Sequence, residues 1–205
     1  MMRAAPTSSS TSSATTSDLQ RYPVGGPKIM DSVAHEDVSW RLFDNEDLVF
    51  AYELAAVHGA RWWNVTKNGS SPESMISLIS RFAAGVTILR GQTPIGIGTL
   101  SNTGSAGTGL FDIRVVDDEH SREIVGRIVP ELIQSVFAVS DIRALYHERF
   151  ENDPRLLGPT EPYWRTQVIF PSYALIEGRY ESLEQRVLWR DEFQEVFLPL
   201  VDAPK

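Results

Sequence analysis

Apolar positions change their period several times along this chain, and each change marks an element. Val38 and Trp40 alternate with Ser39 and Arg41, the period-two pattern of a half-buried strand, so a first strand is read over Val38–Phe43. Asp44 supplies an N-cap, Glu46 and Asp47 are first-turn acids, and Leu48–His58 carries a helical stripe closed by Gly59. Ser70-Ser71 caps a second helix that opens at Pro72-Glu73 and runs to about Phe82. Ala84–Leu89, then Arg90-Gly91-Gln92-Thr93, then Pro94–Leu100 has the make-up of a β-hairpin. Gly91 and Gly96 superficially suggest a phosphate loop, but the Gly-Lys-Ser/Thr ending and the following helix are missing, so a twisted or bulged strand is the reading, with Gly96 and Gly98 on one of its faces. Asn102–Gly109 is glycine-rich with no helix behind it and reads as a mobile connection.

The second half is more informative. Leu110–Val116 is a fourth strand that runs straight into a helix. Over Ser121–Phe137 apolar residues fall at 124, 125, 128, 129, 132, 133, 136 and 137, one continuous helix face. Pro130 interrupts that helix chemically, having no N–H to donate, and predicts a kink or a change of hydrogen bonding there. At a tight strand-to-helix junction the unbonded N–H groups of the first turn converge, which makes the junction a natural anion site. Ile142–Phe150 is a fifth strand ending in Asn152-Asp153-Pro154. Glu161–Tyr173 is aromatic and reads as helical in part, broken by Pro162 and Pro171. Ala174–Glu177 and Glu195–Leu200 are read as a closing pair of strands around the charged segment Glu181–Glu192.

Composition narrows the chemistry. The chain has 205 residues, is 42% apolar and carries a formal charge of −8, so one domain with a full core is expected, and no basic stripe invites nucleic acid. Cysteine is absent, which removes disulfides, thiolate nucleophiles and Cys-ligated zinc. No apolar run approaches the roughly 18 residues of a membrane-spanning helix. Ten of the first 17 residues are Ser or Thr, so residues 1–35 are read as a disordered tail and linker and residues 36–205 as the domain. That tail suits a cytoplasmic protein with a solvated end, or an organellar transit peptide.

Two familiar site types find no support. His35, His58, His120 and His147 are scattered without a carboxylate at helix-face spacing, so no metal is predicted, and no Gly-x-Ser-x-Gly elbow offers a serine nucleophile. Tyr146 and His147 alternate on the fifth strand, so one of them faces any cleft beside it. Asp112 lies between Phe111 and Ile113, which puts a carboxylate on one strand face and the core on the other, or an ordinary solvent-facing Asp at a sheet edge. Asn152 can orient a ligand or simply open a turn. Trp62-Trp63 can line a pocket or pack in a core.

The order of these elements resembles the GNAT N-acyltransferase superfamily, with its ribosomal-protein acetyltransferase-like branch the nearest pattern. The resemblance spans Val38 to Leu200 and rests on Phe111-Asp112-Ile113-Arg114, on Asn152-Asp153 closing the fifth strand, on Tyr173-Ala174-Leu175-Ile176-Glu177-Gly178-Arg179, and on Arg190-Asp191. It implies an α/β (α+β) fold: a mixed, mostly antiparallel twisted sheet with helices on both faces, splayed between the fourth and fifth strands. It implies acetyl-CoA or another acyl-CoA as co-substrate and a small-molecule or peptide amine as acceptor, attacking the thioester directly. By the same resemblance Asp112 is the base through water, Tyr173 (ahead of Tyr163) the acid and Asn152 a positioning group. Val115 and Val116 would hold the thioester, Arg122, Gly126 and Arg127 the pyrophosphate, and Trp62, Trp63 and His147 the acceptor. A homodimer is a further expectation. The pyrophosphate loop departs from the family's Gln/Arg-x-x-Gly-x-Gly/Ala: here Arg122 and Gly126 are spaced differently, and Asp117, Asp118 and Glu119 precede them. The alternative implied is a GNAT-fold protein that has lost acyl-CoA use and serves as a binding module or a specialised-metabolism enzyme.

Overall fold

A computed structural model describes residues 38–58, 80–104 and 106–197, with side chains from 56 to 58 left aside. The elements are β1 (Val38–Leu42), α1 (Leu48–His58), β2 (Ala84–Arg90), β3 (Thr93–Gly104), β4 (Thr108–Val115), α2 (Glu119–Val139), β5 (Ala144–Phe150), a 3-10 turn (Gly158–Tyr163), β6 (Arg165–Ile176), β7 (Arg179–Trp189) and α3 (Arg190–Phe197). They form one seven-stranded sheet in the order β1-β2-β3-β4-β5-β7-β6. Every neighbouring pair is antiparallel except β4 and β5, which are parallel because α2 crosses between them.

The local rules explain most of these elements. Asp44 accepts from the Glu46 N–H, and the Asp47 carboxylate accepts from the Asp44 N–H at 3.0 Å, closing a capping box ahead of α1. Arg41 grips the same Asp47 carboxylate through both Nη atoms at 2.7 Å, tying β1 to the helix start. The stripe of α2 packs Ile124, Val125, Ile128, Val129, Leu132, Ile133 and Phe137 onto the sheet face that carries Phe111, Ile113 and Val115. On the opposite face Ile97 packs with Ala51, Leu54 and Ala55 of α1. Ile88 pairs with Gly96 and Leu89 with Pro94, so Ile95 is the extra residue of the bulge expected from the glycine pattern.

Three expectations are corrected. Asn102–Gly109 is a tight hairpin rather than a mobile connection: β3 runs to Gly104, β4 starts at Thr108, and the Gly107 N–H closes on the Gly104 carbonyl at 3.1 Å. The segment expected to be partly helical over Glu161–Tyr173 is one 3-10 turn followed by the long strand β6. Pro162 and Pro171 deny helical donors, while Val168, Ile169 and Phe170 suit a pleated surface.

Third, the charged segment Glu181–Glu192 is mostly strand β7, inserted between β5 and β6, and the segment expected as the last strand is helix α3 as far as Phe197. Its charges are cross-strand partners: Arg149 Nε donates to Glu184 at 2.9 Å and Gln185 Nε2 to Glu148 at 2.8 Å. The second predicted helix, Pro72–Phe82, lies mostly outside the described residues, and only its end is seen, as a turn at Ser80-Arg81.

Candidate functional site

The two parallel strands part soon after they meet. Only Thr108, Gly109 and Leu110 of β4 pair with Ala144, Leu145 and Tyr146 of β5, although both strands continue for several residues. The Val116 N–H donates to the Ile95 carbonyl at 2.9 Å, on the β3 side. By the alternation of an antiparallel strand, the backbone groups of Phe111, Ile113 and Val115 therefore point toward β5 and the opening.

His147 stands at the fork. Its Nδ1 lies 3.2 Å from the Phe111 carbonyl oxygen. A carbonyl only accepts, so Nδ1 carries the proton and Nε2 is the acceptor. The ring replaces the ladder bond that the diverging strands no longer make. Burial pushes its pKa down to about 4, with the Arg114 charge a lesser cause, so the ring is neutral at pH 7.

Trp164 fills the same side, stacked on Phe111 with centroids 6.4 Å apart and edge-on to His147 at 5.7 Å. Its indole N–H donates to Thr160 Oγ1 at 3.1 Å. Arg186 of β7 holds this segment down, donating to Glu161 Oε1 at 2.5 Å and, through Nη2, to the Glu161 and Trp164 carbonyls at 2.8 Å.

The other face of the opening is polar. Asp112 and Arg114 alternate with Phe111, Ile113 and Val115 and so share the face opposite α2. Arg114 sits 3.4 Å from Asp112 and 3.6 Å from Asp153, reaching from β4 to the turn after β5. Asp112 Oδ1 also accepts from the Ile113 N–H at 3.0 Å, one of the backbone donors that point into the opening. The buried Asp153 accepts from the Phe150 N–H at 3.0 Å and thereby closes the end of β5.

The start of α2 is occupied by the chain itself. Asp118 is the N-cap, and its carboxylate accepts from the Ser121 N–H at 2.8 Å. Hydrogen bonding from Ser121 holds that carboxyl below the usual carboxylate range. Arg122 bridges to Asp117 at 2.6 Å and Arg127 to Glu123 at 2.5 Å. One turn further along, a groove of about 380 Å³ is lined by Arg122, Gly126, Arg127, Arg155, Gly158 and Pro159, with Glu119 and Glu123.

No family model and no curated protein matches the sequence. Solved structures do. A spermidine N-acetyltransferase from Vibrio cholerae in complex with CoA and spermine superposes with a TM-score of 0.66 at 13% identity, covering 78% of this chain and 99% of its own. An N-acetyltransferase from Staphylococcus aureus Mu50 superposes with a TM-score of 0.61 at 12% identity, covering 74% and 98%. The chain has the GNAT fold. Nothing in these matches singles out the ribosomal-protein branch.

Within this GNAT fold the predicted residues separate into two groups. Asp112 and His147 flank the opening from opposite faces of the sheet, and His147 is buried against Trp164 rather than exposed on an acceptor side. Arg122, Gly126 and Arg127 share the groove at α2. Gly126 does more than open space: Pro130, four residues on, offers its carbonyl no N–H, and Gly158 lies against that carbonyl instead, where an added Cβ would come within 1.9 Å.

Val116 has its N–H committed to Ile95, so Ile113 replaces it as the inward-pointing donor beside Val115. Tyr173 lies on β6, with β7 between it and β5, is 51% exposed and packs on Phe150 and Phe170. Tyr163 packs edge-on to Phe197. Asn152 is exposed at the turn, and its neighbour Asp153 is the residue that reaches inward. Trp62 and Trp63 lie outside the described residues.

Sequence reasoning gave no role to Arg114, Asp153, Arg155 or Trp164. The i, i+2 spacing of Asp112 and Arg114 was the available signal for the first. Trp164 carried none, because its place follows from the turn that Arg186 pins.

Proposed function

We propose that this GNAT-fold protein is an acyl-CoA-dependent N-acyltransferase acting on a small-molecule or peptide amine. The observation that carries the reading is the parting of β4 from β5 beyond Leu110, which leaves the Ile113 side of β4 facing an opening instead of a ladder. When bound, acyl-CoA supplies the thioester carbonyl. The chain's own groups supply the rest. Asp112, on the polar face, takes the ammonium proton through water. The Ile113 N–H, once Asp112 Oδ1 turns from it, stabilises the negative charge that builds on the acyl oxygen. Arg122, Arg127 and Arg155 in the groove beside α2 are the cations for the pyrophosphate. Tyr173 is left out of the acid role because β7 separates it from the opening. That one structural neighbour was solved with CoA and spermine supports a donor and an amine acceptor for this fold.

A second reading, loss of acyl-CoA use, is favoured by Asp118. Its carboxylate already occupies the helix-start N–H that would face a phosphate, and Asp117 and Glu119 beside it add like charge. Thermal unfolding with acetyl-CoA decides between the two. At about 100 times its dissociation constant the ligand is expected to stabilise the fold by roughly 2.7 kcal/mol, with free thiol released when an amine is added. Asp112→Asn is expected to keep the shift and lose the release. Asp118→Ala is expected to lower the unadorned melting temperature and to tighten acetyl-CoA binding. The absence of any shift at millimolar acetyl-CoA sinks the first reading, and a shift gained only in Asp118→Ala establishes the second.

A further inference from the structure

Arg114 stands at the opening, and the proposed chemistry leaves it unused. Its side chain is 12% exposed, on the polar face of β4 two residues beyond Asp112. A guanidinium buried that far normally has close partners, because it has given up its hydration. Other arginines of this chain obey that rule: Arg149 meets Glu184 at 2.8 Å, and Arg186 commits Nη1 and Nη2 to three hydrogen bonds of 2.5 to 2.8 Å. Arg114 stands back from both its neighbours, 3.4 Å from Asp112 and 3.6 Å from Asp153, and its buried Nε has no partner among the described residues. Asp153 cannot close up on it freely, since its carboxylate is held by the Phe150 N–H at 3.0 Å. A planar fork with its donors under-used, facing a cleft, matches a carboxylate in shape and charge.

We propose that Arg114 binds the carboxylate of the acceptor, and that the acceptor is a free α-amino acid with an aromatic or other apolar side chain; the proposal rests on the acyltransferase reading. In such a molecule one carbon separates an ammonium from a carboxylate. Asp112 and Arg114, 3.4 Å apart, present the opposite charges in the opposite order. With the ammonium against Asp112 and the carboxylate against Arg114, every charge faces its complement. A peptide N-terminus has a neutral amide in place of that carboxylate and would leave the guanidinium unanswered. The reaction then balances simply. The ammonium loses a proton to Asp112 through water, its nitrogen bonds to the acyl carbon, the carbon–sulfur bond breaks, and the thiolate leaves and takes up a proton. An N-acyl amino acid and free thiol result. The side chain has an apolar strip to lie on. Tyr146 and Phe150 alternate along β5 on the face away from α2, and Phe150, Tyr173 and Phe170 continue it with centroids 6.3 and 5.9 Å apart. Tyr173 and Phe170 are both exposed.

Calorimetric titration of the full chain with L-phenylalanine, phenylalaninamide and phenethylamine tests it, since the last two keep the amine and ring and lack the carboxylate. The wild type is expected to bind the amino acid at least about tenfold more tightly than either analogue. Arg114→Gln is expected to bring the three affinities within about twofold of one another, whereas a merely structural arginine would weaken all three alike and leave their ratio unchanged. If that variant fails to fold, Arg114→Lys keeps the charge and loses the fork, and is expected to cut the preference at least about threefold. A wild type that binds none of the three at millimolar concentration, or binds them equally, overturns the proposal, as does a preference that survives in the variants. Thiol release with acetyl-CoA separates the two readings. Amino-acid binding through Arg114 without release upholds the carboxylate site and sinks acyl transfer alone. Release as fast with phenethylamine as with phenylalanine upholds acyl transfer and overturns the carboxylate site.

Discussion

Gly158→Ala is expected to destabilise the protein by about 4 kcal/mol or more, beyond the usual range for a single substitution. Two costs add at this position. The residue sits at φ +52°, and its new Cβ would stand 1.9 Å from the Gly126 carbonyl oxygen and 2.5 Å from its carbon. Neither neighbour can yield by a rotamer change, because both are backbone of α2. The turn would have to lift from the helix, carrying the buried Leu156, Leu157, Thr160 and Trp164 with it. Gly178→Ala separates the two costs. It shares the positive φ, at +81°, but meets nothing within 4 Å, so about 1–2 kcal/mol for backbone strain is expected there. Urea unfolding of the two variants makes the comparison. Equal losses would mean that the helix–turn contact carries no stability of its own. Because the same two glycines line the groove at α2, Gly158→Ala is also expected to abolish any anion binding there.

Acidification from about pH 7 toward pH 4 is expected to remove roughly 3 kcal/mol of stability through His147. The unfolded histidine takes a proton near the ordinary value of 6.5, whereas the folded one resists until about 4 because it is buried. Between those values the unfolded state binds more protons, so stability rises with pH across the window and is fully present above it. The charged groups around the ring are Arg114 from β4 and Arg186 from β7, which oppose protonation, and Glu161 from the 3-10 turn, which favours it. His147→Gln keeps a donor for the Phe111 carbonyl and removes the titration. Carboxylates such as Glu184, whose pKa is also lowered, titrate alike in both proteins, so the difference between the two pH profiles isolates His147. Parallel profiles for wild type and His147→Gln would contradict the buried, neutral ring. The functional consequence is local: protonation would repel Arg114 and loosen the fork where the opening begins.

Short-range chemistry was legible along the chain. The Asp44 cap, the α1 and α2 stripes, the β2–β3 bulge and the strand-to-helix junction at β4 depend on neighbours within a few residues, and periodicity reports such neighbours directly. The same logic failed for β7. Glu184, Gln185 and Arg186 look like a solvated loop until Arg149, Glu148 and Glu161 are placed against them, and those partners lie 25 to 37 positions away. It failed likewise at the start of α2, where a junction suited to an anion already holds the Asp118 carboxylate. A run of acids before a helix announces a cap, but not that the cap stands where a phosphate would.

The candidate site divides along the same line. Asp112 and the element order as far as β5 come from the sequence, since a strand's alternation puts a carboxylate between two core residues whatever surrounds it. The fork itself does not. Where β4 leaves β5, which carbonyl His147 answers, and which tryptophan fills the inner face are settled by a parallel pairing that cannot be read from either strand alone. In a parallel pair the register follows from how the crossover helix packs, and α2 packs through a bare glycine-to-glycine contact with a turn more than thirty residues away in the chain. The chain therefore determined its elements as far as β5 and most of their faces. Tertiary contact decided which polar groups those faces bring together, because charge and hydrogen-bonding partners are chosen by distance in space, and periodicity carries no record of it.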